Sequence, residues 1–141
     1  MERRDFIRLS LTGVGSSMIA PLALAETTKQ ATITSDIYYT KESPGRWSGK
    51  VATHLPNIEI DKKEGKVIVK VITGHEMKGY EHYIIKHVLL DKNYKFLAEH
   101  MFNPLEDKTA SSSFPLDNYS GAIYVLSLCN KHDLWLNSAE V

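Results

Sequence analysis

The chain has one cysteine, Cys129, so no disulfide can close within it. It has no surplus of either charge, because 17 Lys plus Arg stand against 17 Asp plus Glu. That balance leaves no electrostatic footprint for nucleic acid or for an anionic membrane surface. Long apolar runs are missing too. The stretch from Leu9 to Ala20 is diluted by Gly13, Gly15, Ser16 and Ser17, and it is too short and too polar for a transmembrane helix. No segment shows a sustained helical period, and there is no internal repeat or low-complexity tract. What remains is a chain of 141 residues, a length that predicts one folded domain.

The N-terminus reads as an export signal, residues 1–25. Arg3-Arg4-Asp5-Phe6-Ile7-Arg8 is a twin-arginine pair followed by apolar and basic residues, and Ala23-Leu24-Ala25 has the small-x-small form of a cleavage site. The expected destination is the bacterial periplasm, with no membrane association once the signal is removed. That compartment is oxidising, and a free thiol there is a liability unless it is buried or bound to metal. Residues 26–53 read as an N-terminal arm and loop, and residues 54–141 as the folded domain.

Within the domain, β-branched and alternating segments recur between turn signals. Val67-Ile68-Val69-Lys70-Val71-Ile72 is a strand by composition. Asp61 to Lys66 is a polar hairpin turn with Gly65, and Glu81 to Leu90 is a long strand. Thr109 to Leu116 alternates, with Ala110, Ser112, Phe114 and Leu116 on one side, and Ala122 to Leu128 is apolar enough for a central strand. About seven such strands predict an all-β fold, an immunoglobulin-like antiparallel β-sandwich.

The chemistry gathers at Cys129-Asn130-Lys131-His132-Asp133-Leu134-Trp135. A thiolate and an imidazole three residues apart can reach one metal ion from a tight turn. Of the six histidines, strand alternation places His82 and His87 on opposite faces, and His100 lies late in a strand with no partner signal nearby. His54, His75 and His132 fall in loops or at strand ends, where a rigid sandwich presents functional groups. The candidate ligands are therefore His54, His75, His82, Cys129 and His132. Structural zinc stops at four ligands, so five convergent donors favour a redox metal.

On these residues the chain resembles the superoxide reductase family in its neelaredoxin-like, single-iron-centre form. Three segments carry the resemblance, in the family's order. They are His54-Leu55-Pro56-Asn57-Ile58-Glu59, then His75-Glu76-Met77 with Glu81-His82-Tyr83-Ile84, then Cys129-Asn130-Lys131-His132 with Leu134-Trp135. The resemblance implies a mononuclear iron (Fe2+/Fe3+) with four histidines in a plane, a cysteinate below and an open position above. It implies reduction of superoxide to hydrogen peroxide by one electron, and a homo-oligomer. The family's rubredoxin-like four-cysteine module is absent, so the electron donor would be a separate protein.

The chain departs from the family pattern at several points. Ala52-Thr53 stands where the family has Glu-Lys before the first ligand, which leaves Lys50 and Lys131 as candidates for drawing in superoxide. Glu76 replaces a proline, and Asp133 replaces the glycine after His132. The His75–His82 spacing is one residue longer than usual, with Gly79 able to absorb it. Two other readings stay open. A copper electron carrier would use Cys129 and His132, although no methionine follows Cys129 as a weak axial ligand. A non-catalytic iron sensor would keep the ligands and dispense with the Glu-Lys pair.

Overall fold

A computed structural model describes residues 36–141; the export-signal reading of residues 1–25 lies outside the described residues. After a short lead-in, a 3-10 turn at Gly45–Lys50 continues into a one-turn helix, α1 (Val51–His54). The sequence places His54 in a loop or at a strand end. The helix instead runs to His54 and stops where Leu55 becomes extended, with φ −67° and ψ 126°, the conformation that a residue before proline prefers.

Seven strands follow: β1 (Asn57–Lys63), β2 (Lys66–Thr73), β3 (Ile84–Leu90), β4 (Phe96–Met101), β5 (Ala110–Pro115), β6 (Ala122–Cys129) and β7 (Asp133–Glu140). They form a three-stranded sheet, β1-β2-β5, and a four-stranded sheet, β4-β3-β6-β7. All pairs are antiparallel. The chain crosses between sheets after β2, β4 and β5, which is the Greek-key order of an immunoglobulin-like sandwich.

Period-2 burial explains why these segments are strands. β2 buries Val67, Val69, Val71 and Thr73 and exposes the residues between. β5 buries Ala110, Ser112 and Phe114, and β6 buries Ile123, Val125, Ser127 and Cys129. The β1–β2 hairpin turns on Glu64 and Gly65, with φ of 51° and 78°, the primed geometry that follows the right-handed twist of the strands. Val67, Val69, Val71, Leu89, Phe114, Ile123 and Val125 make the main core. A smaller apolar cluster of Ile84, Phe102, Ala110 and Cys129 lies apart from it.

The structure corrects the alternation expected from Glu81 to Leu90. β3 starts only at Ile84, and its register against β6 shifts between Ile84 and Lys86. This β-bulge at Ile85 puts Ile84 on the same buried side as His87 and Leu89, where strict alternation would oppose them. His82 precedes the strand, so strand parity does not govern it. His87 is separated from the other histidines for a different reason. It is fully buried and hydrogen-bonded to Thr73 Oγ1 (2.8 Å) and Ser112 Oγ (2.7 Å). His100 is exposed on β4 opposite His87, with its ring steeply inclined to that of Phe102.

Candidate metal centre

Antiparallel pairing brings one end of the sandwich together. The start of β1 pairs with the end of β2, the start of β3 with the end of β6, and the end of β6 with the start of β7. Each candidate ligand sits at that end. His54 closes α1 just before β1, His75 follows β2, and His82 precedes β3. Cys129 ends β6, and His132 lies in the three-residue loop to β7. An isolated bridge between Lys78 and His82, with Gly79 at φ 54°, folds the 75–82 loop tightly enough to return His82 to His75. Gly79 thus sits in the left-handed region within the lengthened spacing.

One ligand atom from each of the five lies within 4.8 Å of every other. His75 Nε2 and His82 Nε2 are 2.9 Å apart, His82 Nε2 and His132 Nδ1 3.1 Å, and His54 Nε2 and His132 Nδ1 3.1 Å. Nitrogens held about 2.1 Å from one cation at right angles lie roughly 3 Å apart. The Cys129 Sγ sits 3.5 Å from His75 Nε2 and 3.6 Å from His132 Nδ1, close to more than one nitrogen of the ring.

The outer nitrogens decide what the inner ones present. His54 Nδ1 faces the Lys50 carbonyl at 3.1 Å and Thr53 Oγ1 at 2.8 Å. His75 Nδ1 donates to the Glu76 carbonyl, and His82 Nδ1 to Glu76 Oε1 at 3.1 Å. A carbonyl or carboxylate oxygen only accepts, so each of these Nδ1 atoms carries the proton and each Nε2 is a bare lone pair. Three Nε2 atoms therefore converge as acceptors beside His132 Nδ1 and the Cys129 sulfur. A cation satisfies them; the donor set of imidazoles plus a thiolate fits a first-row transition metal.

Electrostatics point the same way. Desolvation pushes His54 down to about 4, with His75 adding to the effect, and burial likewise lowers His75 and His132. These imidazoles are neutral at pH 7, the form that binds metal. Burial pushes the Cys129 thiol up, against the backbone amides of Lys131 and His132, which stabilise the thiolate. Cys129 is 2% exposed. A thiolate there needs a neighbouring positive charge, and the imidazole ring is the place where a cation would supply it.

A pocket of about 380 Å³ opens on the cluster, lined by Lys50, Thr53, His54, Gly74, His75, Glu76 and His82. Cys129 is not part of its wall. Of the two candidate lysines, Lys50 lines the pocket. Lys131 lies exposed in the hairpin loop, with its amide toward Cys129 and its side chain outside the pocket lining.

Several supporting residues carry no signal by themselves in the sequence. Asn130 bonds Tyr83 in both directions, Tyr83 N–H to Oδ1 at 3.0 Å and its own N–H to the Tyr83 carbonyl at 3.2 Å. Its Nδ2 donates to the Tyr80 and Glu81 carbonyls. It thereby fixes the His82 loop against the cysteine hairpin. Asp133 stands at φ 65°, where aspartate is tolerated better than most residues. Trp47 Nε1 (2.9 Å) and Arg46 donate to its carboxylate and hold it below the usual carboxyl range. The Trp47 and His132 rings also stand perpendicular, with their centroids 4.7 Å apart. Trp135 is fully buried; its Nε1 donates to the His132 carbonyl at 3.0 Å, and its ring lies beside Tyr39 and His54. Tyr39 is held on this domain's own sheet by main-chain bonds to Leu134 and Leu136.

Comparison with known proteins gives a consistent result. The family model described as desulfoferrodoxin matches residues 46–138. No curated protein matches. Among solved structures, a variant of the superoxide reductase (neelaredoxin) from Ignicoccus hospitalis is 26% identical, with 79% of this chain and 98% of that one covered and a TM-score of 0.65. The superoxide reductase (neelaredoxin) from Archaeoglobus fulgidus in the reduced form is 25% identical, covering 75% and 98%, with a TM-score of 0.59. A superoxide reductase in the oxidised state is 27% identical, covering 77% and 99%, with a TM-score of 0.58.

Proposed function

The chain belongs to the desulfoferrodoxin family, and from that premise we propose that it is a superoxide reductase with one non-haem iron held by His54, His75, His82, His132 and Cys129. The observation that carries the reading is the convergence of four imidazoles and one buried thiol beside a pocket that holds a lysine. Bound iron would supply a one-electron Fe2+/Fe3+ couple and an open coordination position.

The protein's own residues would do the rest. The three Nδ1–H contacts to Lys50, Glu76 and its carbonyl keep His54, His75 and His82 in the tautomer that aims Nε2 inward. The amides of Lys131 and His132 would hold the Cys129 sulfur and limit how much charge it donates. Lys50 adds a positive charge in the pocket wall, and it would raise the local concentration of a small anion such as superoxide. Superoxide takes up one electron and two protons to leave as hydrogen peroxide. The pocket opens to solvent for the protons, and a separate donor protein would return the electron. Export by the twin-arginine route to the periplasm, and assembly as a homo-oligomer, belong to the same proposal.

The test is to mix reduced, iron-loaded protein with superoxide and follow peroxide and dioxygen. One peroxide per superoxide, with no dioxygen evolved, is the expected result. Ala52-Thr53, in place of the family's Glu-Lys pair, favours a non-catalytic iron module as the second reading, and absence of stoichiometric peroxide would establish it. The Lys50→Ala variant is expected to react about tenfold more slowly at low ionic strength and to lose most of its salt dependence. A rate that stays at wild-type level across a salt series would remove Lys50 from the proposal.

A further inference from the structure

One residue contacts two of the four imidazoles from outside, and the sequence already marks it as unusual. Glu76 accepts the Nδ1–H of His75 on its main-chain carbonyl and the Nδ1–H of His82 on its carboxylate Oε1, at 3.1 Å. Any residue at this position offers the carbonyl, a proline included. The carboxylate contact exists only because glutamate stands here. The turn through Lys78 and Gly79 presents the His82 ring edge to this carboxylate. It is closed by the Lys78 N–H to His82 carbonyl bond at 2.8 Å.

We propose that Glu76 is a positioning residue that completes a carboxylate–histidine–metal triad through His82. The inference rests on the metal-centre reading above. An ionised carboxylate on Nδ1–H draws the proton outward, raises electron density on Nε2, and fixes the ring so that its lone pair points at the other donors. The same contact stabilises the more highly charged state of a bound metal. Glu76 therefore tightens metal binding and lowers the reduction potential of the centre. The Glu76 side chain is 64% exposed, which weakens the electrostatic share of the effect through solvent screening and sets the expectation at the lower end of the range for such contacts.

Two substitutions separate charge from hydrogen bonding. Glu76→Gln keeps an acceptor oxygen and removes the charge, whereas Glu76→Ala removes both. Zinc affinity of the full chain, measured by chelator competition, is expected to fall about tenfold in Glu76→Ala and less in Glu76→Gln. The midpoint potential of the iron-loaded protein is expected to rise in the same order. In zinc-loaded protein, nitrogen-15 NMR should show the His82 Nδ1–H shifting in both variants. A role confined to holding the loop would leave Glu76→Gln like wild type in potential and in the His82 resonance. Equal zinc affinity, potential and His82 resonance in all three proteins overturns the proposal while leaving the metal centre intact. Failure of the wild-type chain to bind zinc or iron stoichiometrically overturns both.

Discussion

Cys129→Ser is expected to abolish the thiolate-to-iron(III) absorption band of the oxidised, iron-loaded protein and to leave the sandwich folded. The band requires a sulfur donor, and Cys129 is the only sulfur of that kind in the chain. Its Sγ lies 3.5 Å and 3.6 Å from ring nitrogens of His75 and His132. A serine hydroxyl in the same place is a harder donor and keeps its proton at neutral pH. The amides of Lys131 and His132, which would stabilise a metal-bound thiolate, would face a neutral group instead. Affinity for a thiophilic ion such as cadmium should fall much further than affinity for a harder one. The cost to the fold is modest by comparison. Cys129 packs on Ile84, Phe102 and Ala110, and placing a hydroxyl there costs on the order of 1–3 kcal/mol. Circular dichroism and the urea midpoint check the fold, and the visible spectrum checks the ligand. A serine variant that keeps the band would remove Cys129 from the centre.

The same residue shows how far the sequence alone could go. A lone cysteine three residues from a histidine is a local pattern, and local patterns are legible. So are the alternation of Ala110 to Leu116 and the β-branched run from Val67, which is why the sandwich could be anticipated. The supports around the site were not legible, because they join residues far apart in the chain. Arg46 and Trp47 meet Asp133 across separations of 87 and 86 residues. No rule of spacing predicts that pair, yet it answers the doubt raised by a non-glycine residue after His132. Asn130 was visible only as part of a motif; its role appears once Tyr80, Glu81 and Tyr83 are seen to fold onto it. Alternation failed where a bulge intervened. At Ile85 one extra residue reverses the inward set, and composition carries no mark of it. The helix at Val51–His54 was likewise hidden behind Pro56, whose influence reaches only to Leu55.

His87 is the buried histidine that the metal centre does not use, and it carries the second large expected effect. Thr73 Oγ1 contacts its Nε2 at 2.8 Å and also Ser127 Oγ at 2.9 Å, while Ser112 Oγ contacts its Nδ1 at 2.7 Å. These four buried groups, one each from β2, β3, β5 and β6, bond one another across the two sheets. Desolvation, with a smaller contribution from nearby His100, lowers His87 to about 4, against about 6.5 in an unfolded chain. Between those values the unfolded chain binds the proton and the folded one does not, so stability rises with pH there and falls on acidification. The difference of about 2.5 units corresponds to about 3 kcal/mol. That amount is lost as the pH drops from 6.5 through 4, and none of it is lost above 6.5. The comparison belongs in metal-free protein with chelator present, where the other histidines act alike in both chains. His87→Gln keeps a donor and an acceptor but cannot titrate. It should be less stable than wild type at pH 7.5, because an amide does not match the ring's geometry between the hydroxyls. Its urea midpoint should then fall less steeply on acidification, so that the gap between the two proteins narrows by about 3 kcal/mol at pH 4. Parallel stability curves for the two proteins from pH 7.5 to 4 would mean that His87 takes up its proton in the folded state as readily as in the unfolded one.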